Sequence, residues 1–225
     1  MESNDLTILF LTLNKLPERW TNFHKETLLK AAGDYPIITI SKEPMWGINL
    51  IQEEEPSVEN IYRQMLRGAK LATTPYIGIA EDDVLYPREH FLYRPPLDTF
   101  AYNLCRWSLY TWGEPTYNYR GRRGNFALIA PRELLIESLE ERFSKYPDGV
   151  PDRLNGELGR PRVENRLKVK ERNAVDFYTT VPVVVFHHDF ELDDVARRHR
   201  KAMGLLRAYD IPHWGRAAEL IKQFK

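Results

Sequence analysis

Three consecutive acidic residues follow a short apolar segment in the sequence PYIGIAEDDVLYP, residues 75–87. Residues 76–80 have the composition of a buried strand, and Glu81, Asp82 and Asp83 come directly after it. Like charges at this spacing repel one another unless a cation lies among them. Hard oxygen ligands suit Mg²⁺ or Mn²⁺, whose other ligands are usually water and substrate phosphates. The triplet therefore predicts a site for a divalent metal and a diphosphate, the alternative being acids that only solvate a loop.

Basic and aromatic residues concentrate in the second half of the chain. Arg120, Arg122 and Arg123 stand close together in the sequence YNYRGRRGN, and Trp112 precedes them. Cationic side chains contact phosphates, and aromatic faces stack on an extruded base. We predict that these four residues bind an acceptor, although an arginine fork also suits a donor diphosphate. For a second basic segment, residues 197–201, a solvated helix surface is the favoured interpretation.

The first 85 residues indicate the scaffold for these groups. Apolar runs at 6–13, 36–41 and 76–80 have the length and continuity of buried parallel strands. Between them lie two segments of helical periodicity, one running from Pro17 to a stop at Gly33 and one capped by Ser57. The order β-α-β-α-β predicts an α/β fold with a Rossmann-type, mostly parallel sheet flanked by helices.

The carboxyl ends of these strands bring polar residues to one edge of the sheet, where α/β proteins bind ligands. We expect the acidic triplet to meet there the residues that follow the first two strands, which are Thr12, Leu13, Asn14 and Ser41. The second helix carries polar residues opposite its apolar stripe, namely Asn60, Arg63 and Gln64. They are candidates for contact with a nucleotide, and surface solvation explains them equally well.

The second half of the chain is less regular. Its predicted elements are one or two strands at 99–112, a strand at 125–130, a helix from Pro131 to about Phe143, a long loop at 147–172, a strand at 181–186 and a C-terminal helix. The last strand ends at His187, His188 and Asp189. We expect one domain over residues 1–225, with residues 1–98 and 99–225 as its two halves.

Composition excludes some classes of protein. Acidic and basic residues balance at 32 each, so the net charge does not indicate which kind of partner the protein binds. A single cysteine, Cys105, rules out an intramolecular disulfide framework and fits a reducing compartment. The N-terminal apolar run is too short to span a bilayer and has acids where a signal peptide is basic. We therefore expect a cytoplasmic protein without a membrane partner.

The order β-α-β-α-β ending in EDD resembles the nucleotide-binding half of the GT-A glycosyltransferases, whose D-x-D motif holds a divalent metal against a nucleotide-sugar diphosphate. The resemblance implies that residues 1–98 bind the nucleotide sugar and residues 99–225 the acceptor. Glu81 and Asp83 match the first and last acids of the motif, and Asp82 occupies its middle position. The glutamate at the first position departs from the aspartate of the motif. Thr12, Leu13 and Asn14 match a stretch near the base, and Ser41 stands where the family often has an acid.

The family also tends to supply a late metal ligand, often histidine, and His187 and His188 fit this implied role. Neighbours in extended backbone point in opposite directions, so we expect only one of them to bind, with His187 slightly favoured. The alternative is that both only pack or cap.

A narrower resemblance links several segments to the TET-associated glycosyltransferases of phages, which attach sugars to 5-hydroxymethylcytosine in phage DNA. The segments are LTLNKLPERW, ISKEPMWGINL, NIYRQMLRGA and EDDVLYP. It implies that the donor is a nucleotide sugar, that the acceptor is hydroxymethylated DNA and that, for a phage protein, the site of action is the host cytoplasm.

A hydroxyl acceptor is a poor nucleophile, so an inverting enzyme needs a carboxylate that takes its proton. The candidates are Asp152, Glu157 and Glu164, of which Glu157 occupies roughly the family's place for the base. A retaining enzyme needs no such base. The rival functions are a nucleotidyltransferase, disfavoured because the loop NKLPERW lacks glycine, a metal-dependent hydrolase, and a non-catalytic DNA-binding module.

Overall fold

The structure is a computed structural model that describes residues 4–189 and 206–224. Its strands are β1 (Leu6–Leu11), β2 (Ile37–Ser41), β3 (Ile48–Ile51), β4 (Tyr76–Glu81), β5 (Val84–Leu85), β6 (Thr99–Asn103), β7 (Arg106–Tyr110), β8 (Tyr117–Tyr119), β9 (Leu128–Pro131), β10 (Asn173–Phe177), β11 (Val183–His187), β12 (Arg207–Ala208), β13 (Asp210–Ile211) and β14 (Gly215–Arg216). Its α-helices are α1 (Glu18–Ala32), α2 (Val58–Leu71), α3 (Arg88–Leu92), α4 (Arg132–Lys145), α5 (Pro161–Leu167) and α6 (Ala217–Phe224).

Within the described ranges, the largest sheet has seven strands in the order β10-β6-β9-β4-β1-β2-β3. The pairs β1–β2, β1–β4, β2–β3 and β6–β10 are parallel, and β9 runs antiparallel to its neighbours β4 and β6. The mostly parallel sheet predicted from the sequence is therefore confirmed, together with the order of its first helices and strands.

Helices cover both faces of this sheet, which explains why its central strands are apolar throughout. Along β1, Leu9 and Leu11 pack with residues of α2 and α4 on one face, while Ile8 and Phe10 pack with residues of α1 and α3 on the other. Alternate side chains of a strand point to opposite faces, so both sets are buried.

A smaller sheet, in the order β12-β8-β7-β11-β5, packs against α1 and α6. Trp20 of α1 is fully buried there between Phe186 of β11 and Phe224 of α6, with ring centroids 4.3 Å and 4.9 Å away. The predicted helix after the last strand falls mostly on residues 190–205 and so lies, with the basic segment 197–201, outside the described residues.

Two elements were missed in the sequence, and the prediction of a long loop was wrong. The stretch between the second strand and the second helix contains β3, whose four partly exposed residues make too short an apolar run to stand out. The predicted loop at 147–172 contains α5, with Pro161 in its first turn and Lys168 ending it in the left-handed conformation (φ 53°). Glu164 in α5 accepts hydrogen bonds from the amides of Gly159 and Arg172, both at 2.9 Å, and is buried, so this carboxylate supports the fold.

Among the described residues, no helix is long and apolar enough to cross a bilayer.

The close approach of α2 to β1 requires a glycine at position 68, and this generates a stability prediction. A Cβ atom at Gly68 would lie 2.9 Å from both Cδ atoms of Leu9. We expect Gly68→Leu to lower the free energy of unfolding by about 1–3 kcal/mol through overpacking, despite the better helix propensity of leucine. Lys70→Leu, on the exposed side of the same helix, is the control and should stay within about 0.5 kcal/mol. Urea unfolding measures both, and a Gly68→Leu variant as stable as the wild type would contradict this packing.

Candidate active site

The acidic triplet lies where the chain passes from one sheet to the other. Glu81 ends β4 of the large sheet, Asp82 and Asp83 form the turn, and β5 then pairs with β11 of the smaller sheet. Three hydrogen bonds fix the turn: Trp20 Nε1 donates to the Asp82 carbonyl (2.7 Å), the Phe186 amide to the Asp83 carbonyl (2.8 Å), and the Glu81 amide to Tyr86 Oη (3.0 Å). The backbone of the turn is therefore held from both sheets and from α1.

The Asp82 carboxylate is engaged by the protein itself. Thr12 Oγ1, at the end of β1, donates a hydrogen bond to Asp82 Oδ2. The pKa of Asp82 is raised to about 7, because burial and the neighbouring Asp83 carboxylate raise it by more than the bond from Thr12 lowers it. The middle acid of the triplet thus joins the ends of β1 and β4.

Asp83 and His188 form the closest acid–histidine pair of the turn, with His188 Nε2 3.6 Å from Asp83 Oδ2. The other histidine has different partners: His187 Nε2 lies 3.0 Å from Ser108 Oγ, and its ring stacks on Tyr110 at 4.8 Å. The two rings diverge, as the alternation of an extended chain requires. His188, rather than the favoured His187, lies beside the acidic turn.

The acidic turn offers only a few side chains that could bind a divalent ion. Within residues 4–189 and 206–224, no group of three or more His, Cys, Asp or Glu side chains is arranged to hold a metal. Mg²⁺ and Mn²⁺ sites that use a substrate diphosphate need only one or two carboxylates from the protein. Asp83 with His188 and the adjacent Glu81 meets that requirement, whereas Asp82 is held by Thr12.

A cleft of about 730 Å³ opens beside the acidic turn. It brings together most of the residues that the sequence singled out. Those that line it are Thr12, Leu13, Asn60, Gln64, Glu81, Asp82, Asp83, Arg122, Arg123, Glu157, His187 and His188. The sequence-predicted residues that do not line it are Asn14, Ser41, Arg63, Trp112 and Arg120.

Helix α2 presents its first turns to the cleft. Ser57 caps the helix by accepting the Asn60 amide at 3.0 Å, and Asn60 and Gln64 are buried at the cleft wall. Asn60 Nδ2 donates to Gln52 Oε1 (2.8 Å), and its Oδ1 has no hydrogen-bond partner among the described residues. Arg63 turns away instead, because it pairs with Glu59 and lies 4.5 Å above the Phe143 ring.

Asn14 and Ser41 shape the edge of the sheet. Asn14 adopts a left-handed conformation (φ 56°), and its Oδ1 accepts the amides of Lys42 (2.9 Å) and Glu43 (3.1 Å). Ser41 is fully buried and donates to the Glu43 carbonyl at 2.7 Å. Asn14 also lines a smaller cavity of about 190 Å³, which shares Thr12, Leu16 and Asp82 with the cleft.

The side of the cleft formed by the second half of the chain is basic. Glu157 lies there, and its Oε2 accepts a hydrogen bond from Arg160 Nη1 at 2.7 Å. Arg123 lines the cleft, but its guanidinium is committed to Asp176 (2.6 Å) and to the carbonyls of Gly159 and Ala174. Trp112 packs at the edge of Tyr110, with ring centroids 5.6 Å apart.

Arg106 is the cleft residue that sequence reasoning missed. It opens β7, is 3% exposed and lies on Phe126, with 4.4 Å between its guanidinium carbon and the ring centroid. Its pKa is lowered to about 9, chiefly by burial and then by the charges of Arg122 and Arg120. The available signal was a single cation inside the apolar strand sequence CRWSLY, because a buried strand rarely carries a charge without a reason.

Comparisons with known proteins assign no family. No family model matches the chain, and no curated protein matches it. One similar solved structure is a nucleotidyl transferase from Methanothermobacter thermautotroptrophicus, with 13% identity over 79% of this chain and 88% of that chain and a TM-score of 0.46. A second is a glycosyltransferase involved in glycosylation of the major capsid of PBCV-1, with 11% identity over 87% of this chain and 97% of that chain and a TM-score of 0.47. A third is the mannosyltransferase PcManGT from Pyrobaculum calidifontis in complex with GDP-Man and Mn²⁺, with 14% identity over 88% of this chain and 60% of that chain and a TM-score of 0.44. At such identities and TM-scores, these similarities assign no activity to this chain.

The raised pKa of Asp82 predicts a pH-dependent stability. Between about pH 4 and pH 7 the folded chain retains a proton that the unfolded chain has released, so this residue makes stability fall as pH rises, by up to about 1.4 kcal/mol per pH unit. Asp82→Asn keeps an acceptor for Thr12 and removes the titration. In EDTA, the stability of Asp82→Asn relative to the wild type should therefore increase from pH 4 to pH 7 in denaturant unfolding. Asp34→Asn, at an exposed site, is the control, and a pH-independent difference for Asp82→Asn would contradict the prediction.

Proposed function

We propose that this chain is a metal-dependent glycosyltransferase of the GT-A type. It transfers a sugar from a nucleotide sugar, a UDP-sugar in the first instance, to a hydroxyl group of 5-hydroxymethylcytosine in DNA. One observation carries the proposal: a single cleft gathers the acidic turn, the end of β1, the first turns of α2, Glu157 and several arginines. Cation-binding acids and anion-binding arginines are the two groups that a nucleotide diphosphate requires.

The donor side is the half formed by β1, α2 and the acidic turn. Thr12, Leu13, Asn60 and Gln64 line it and offer polar contacts for a nucleoside, and Asn60 Oδ1 is an acceptor still without a partner among the described residues. Asn14 and Ser41 act there by fixing the strand ends. Glu81, Asp83 and one of His187 and His188 would hold Mn²⁺ or Mg²⁺. When bound, the ion supplies positive charge to the departing diphosphate.

The acceptor side is the basic half of the cleft. Glu157 is the proposed base that removes the proton of the attacking hydroxyl, and its pairing with Arg160 keeps the carboxylate oriented. Arg122 lines the cleft near it and suits an acceptor phosphate, as Phe126 suits a base. Arg123 stabilises this side through Asp176, while Trp112 and Arg120 are proposed to contact DNA outside the cleft.

A transfer assay tests the whole proposal. The chain is incubated with Mn²⁺, a panel of nucleotide sugars and DNA containing 5-hydroxymethylcytosine. The DNA is then digested to nucleosides, whose masses are measured by mass spectrometry. We expect a sugar-sized mass gain on the modified base only, and Asp83→Asn should reduce the rate on the order of 100-fold or more because it removes a metal ligand. Asp34→Asn, a neutralised acid on the surface, is the matched control and should keep the wild-type rate.

Other outcomes of this assay identify the rival functions. Free sugar with unmodified DNA indicates a hydrolase, and release of pyrophosphate from a nucleoside triphosphate and a sugar phosphate indicates a nucleotidyltransferase. DNA binding that survives both Asp83→Asn and EDTA, without turnover of any donor, indicates a binding module. Each of these results would overturn the proposed transfer.

The role of Glu157 is tested separately. For an inverting transfer we expect Glu157→Gln to lower kcat by about 10²- to 10⁴-fold with little change in donor affinity, because proton removal is lost while the donor contacts remain. Glu55→Gln, at an exposed position, should behave as the wild type. Steady-state kinetics measure kcat and KM, and an unchanged kcat would assign the base elsewhere or indicate retention of configuration.

A further inference from the structure

Arg106 is a buried cation without a carboxylate partner. Its Nη1 donates to the Arg122 carbonyl at 3.3 Å, and its Nε has no hydrogen-bond partner in the part of the chain that the structure describes. No ion pair joins it to an acid among residues 4–189 and 206–224. Charges are rarely buried unless an opposite charge or a ligand compensates them.

Two other buried arginines show what the fold does when it uses such a residue for support. Arg172 pairs with Glu137 (3.2 Å) and Glu141 (2.6 Å), and both Nη atoms of Arg142 reach the Gly156 carbonyl at 3.3 Å. Neither of them lines the cleft, whereas Arg106 does. Arg142 also has no carboxylate partner among the described residues, so what distinguishes Arg106 is its place in the wall of the cleft, where a ligand can reach it.

The surroundings of Arg106 add to its positive charge. Arg122 and Arg160 line the same part of the cleft, and Glu157 is the acid whose charge acts on both Arg106 and Arg122. That acid is already paired with Arg160. Three guanidinium groups thus share one carboxylate, which leaves an excess of positive charge on this wall.

We propose that Arg106, together with Arg122, binds a phosphate group in the cleft. The guanidinium fork matches two phosphate oxygens, and Phe126 holds its plane in a fixed orientation. The identity of the phosphate rests on the proposed function: it belongs either to the donor's diphosphate or to the acceptor nucleotide.

The test uses variants that remove the charge with little effect on packing. Arg106→Met keeps an unbranched side chain over Phe126 and breaks no ion pair, so we expect it to fold. Arg106→Lys retains the charge without the fork, and Arg122→Gln removes the second cation. Arg162→Gln is the control, because it removes a charge from an exposed position of α5 that does not line the cleft.

Binding of inorganic pyrophosphate is measured by calorimetry in EDTA, without sugar or turnover. We expect the Kd to rise about 10- to 100-fold in Arg106→Met, less in Arg106→Lys and Arg122→Gln, and less than twofold in Arg162→Gln. Circular dichroism and the Tm establish folding. If Arg106→Met fails to fold, the pyrophosphate Kd values of Arg106→Lys and Arg122→Gln test the proposal in its place. Unchanged pyrophosphate affinity in the folded variants, or no binding by the wild type, would overturn the proposal.

Two further titrations identify the source of the phosphate. If the site takes the donor's diphosphate, Arg106→Met weakens UDP but leaves 5-hydroxymethyldeoxycytidine 5′-monophosphate binding to the UDP-saturated protein unchanged. If it takes the acceptor's phosphate, Arg106→Met weakens binding of the monophosphate and leaves UDP binding unchanged. If the substitution weakens binding of neither probe, the proposal is contradicted. Pyrophosphate binding that depends on Arg106 without any sugar transfer would refute only the proposed function. Sugar transfer with Arg106-independent binding of all three probes would refute only this inference.

Discussion

The candidate site depends on one constraint, the two-residue passage of the chain between the seven-stranded and the five-stranded sheet. β4 ends at Glu81, and β5 begins at Val84 as a strand of the other sheet. The passage is fixed by hydrogen bonds from the Trp20 side chain and the Phe186 amide, which satisfy the carbonyl groups of Asp82 and Asp83. The Asp82 side chain joins β1 to the passage through Thr12, while the Asp83 side chain lies beside His188 at the wall of the cleft.

This passage also decides which residues meet the acids. Pairing of β5 with β11 brings the end of β11, and therefore His188, to Asp83. Pairing of β4 with β1 brings Thr12 to Asp82. β7 pairs with β11 as well, and so the same small sheet carries Arg106 into the cleft wall. Strand pairing therefore brings the acidic turn of the first half of the chain and Arg106 of the second half to the same cleft.

The parts of the fold that the sequence predicted are those with long, regular patterns. β1, α1, β2, α2 and β4 each have a continuous apolar run or a helical stripe, and Ser57 caps α2 as expected. The small sheet was predicted only in part: β7 and β11 coincide with predicted strands, whereas β5, β8 and β12 have only two or three residues, too few to show a period. The helix α5 was missed because Pro, Gly and Arg in the surrounding segment obscure its single buried side.

The sequence by itself determined the acidic turn at the end of a parallel strand, the α/β architecture around it and the presence of Glu157 and two histidines in the second half. These follow from local residue types and from periods of two and of about four residues. Only the tertiary structure decided that Asp82 is held by Thr12, that His188 rather than His187 lies beside Asp83, and that Arg106 lines the cleft while Arg120 does not. The reason is physical: these outcomes depend on strand register and on contacts between residues as much as 105 positions apart, 188 minus 83, which no local pattern encodes.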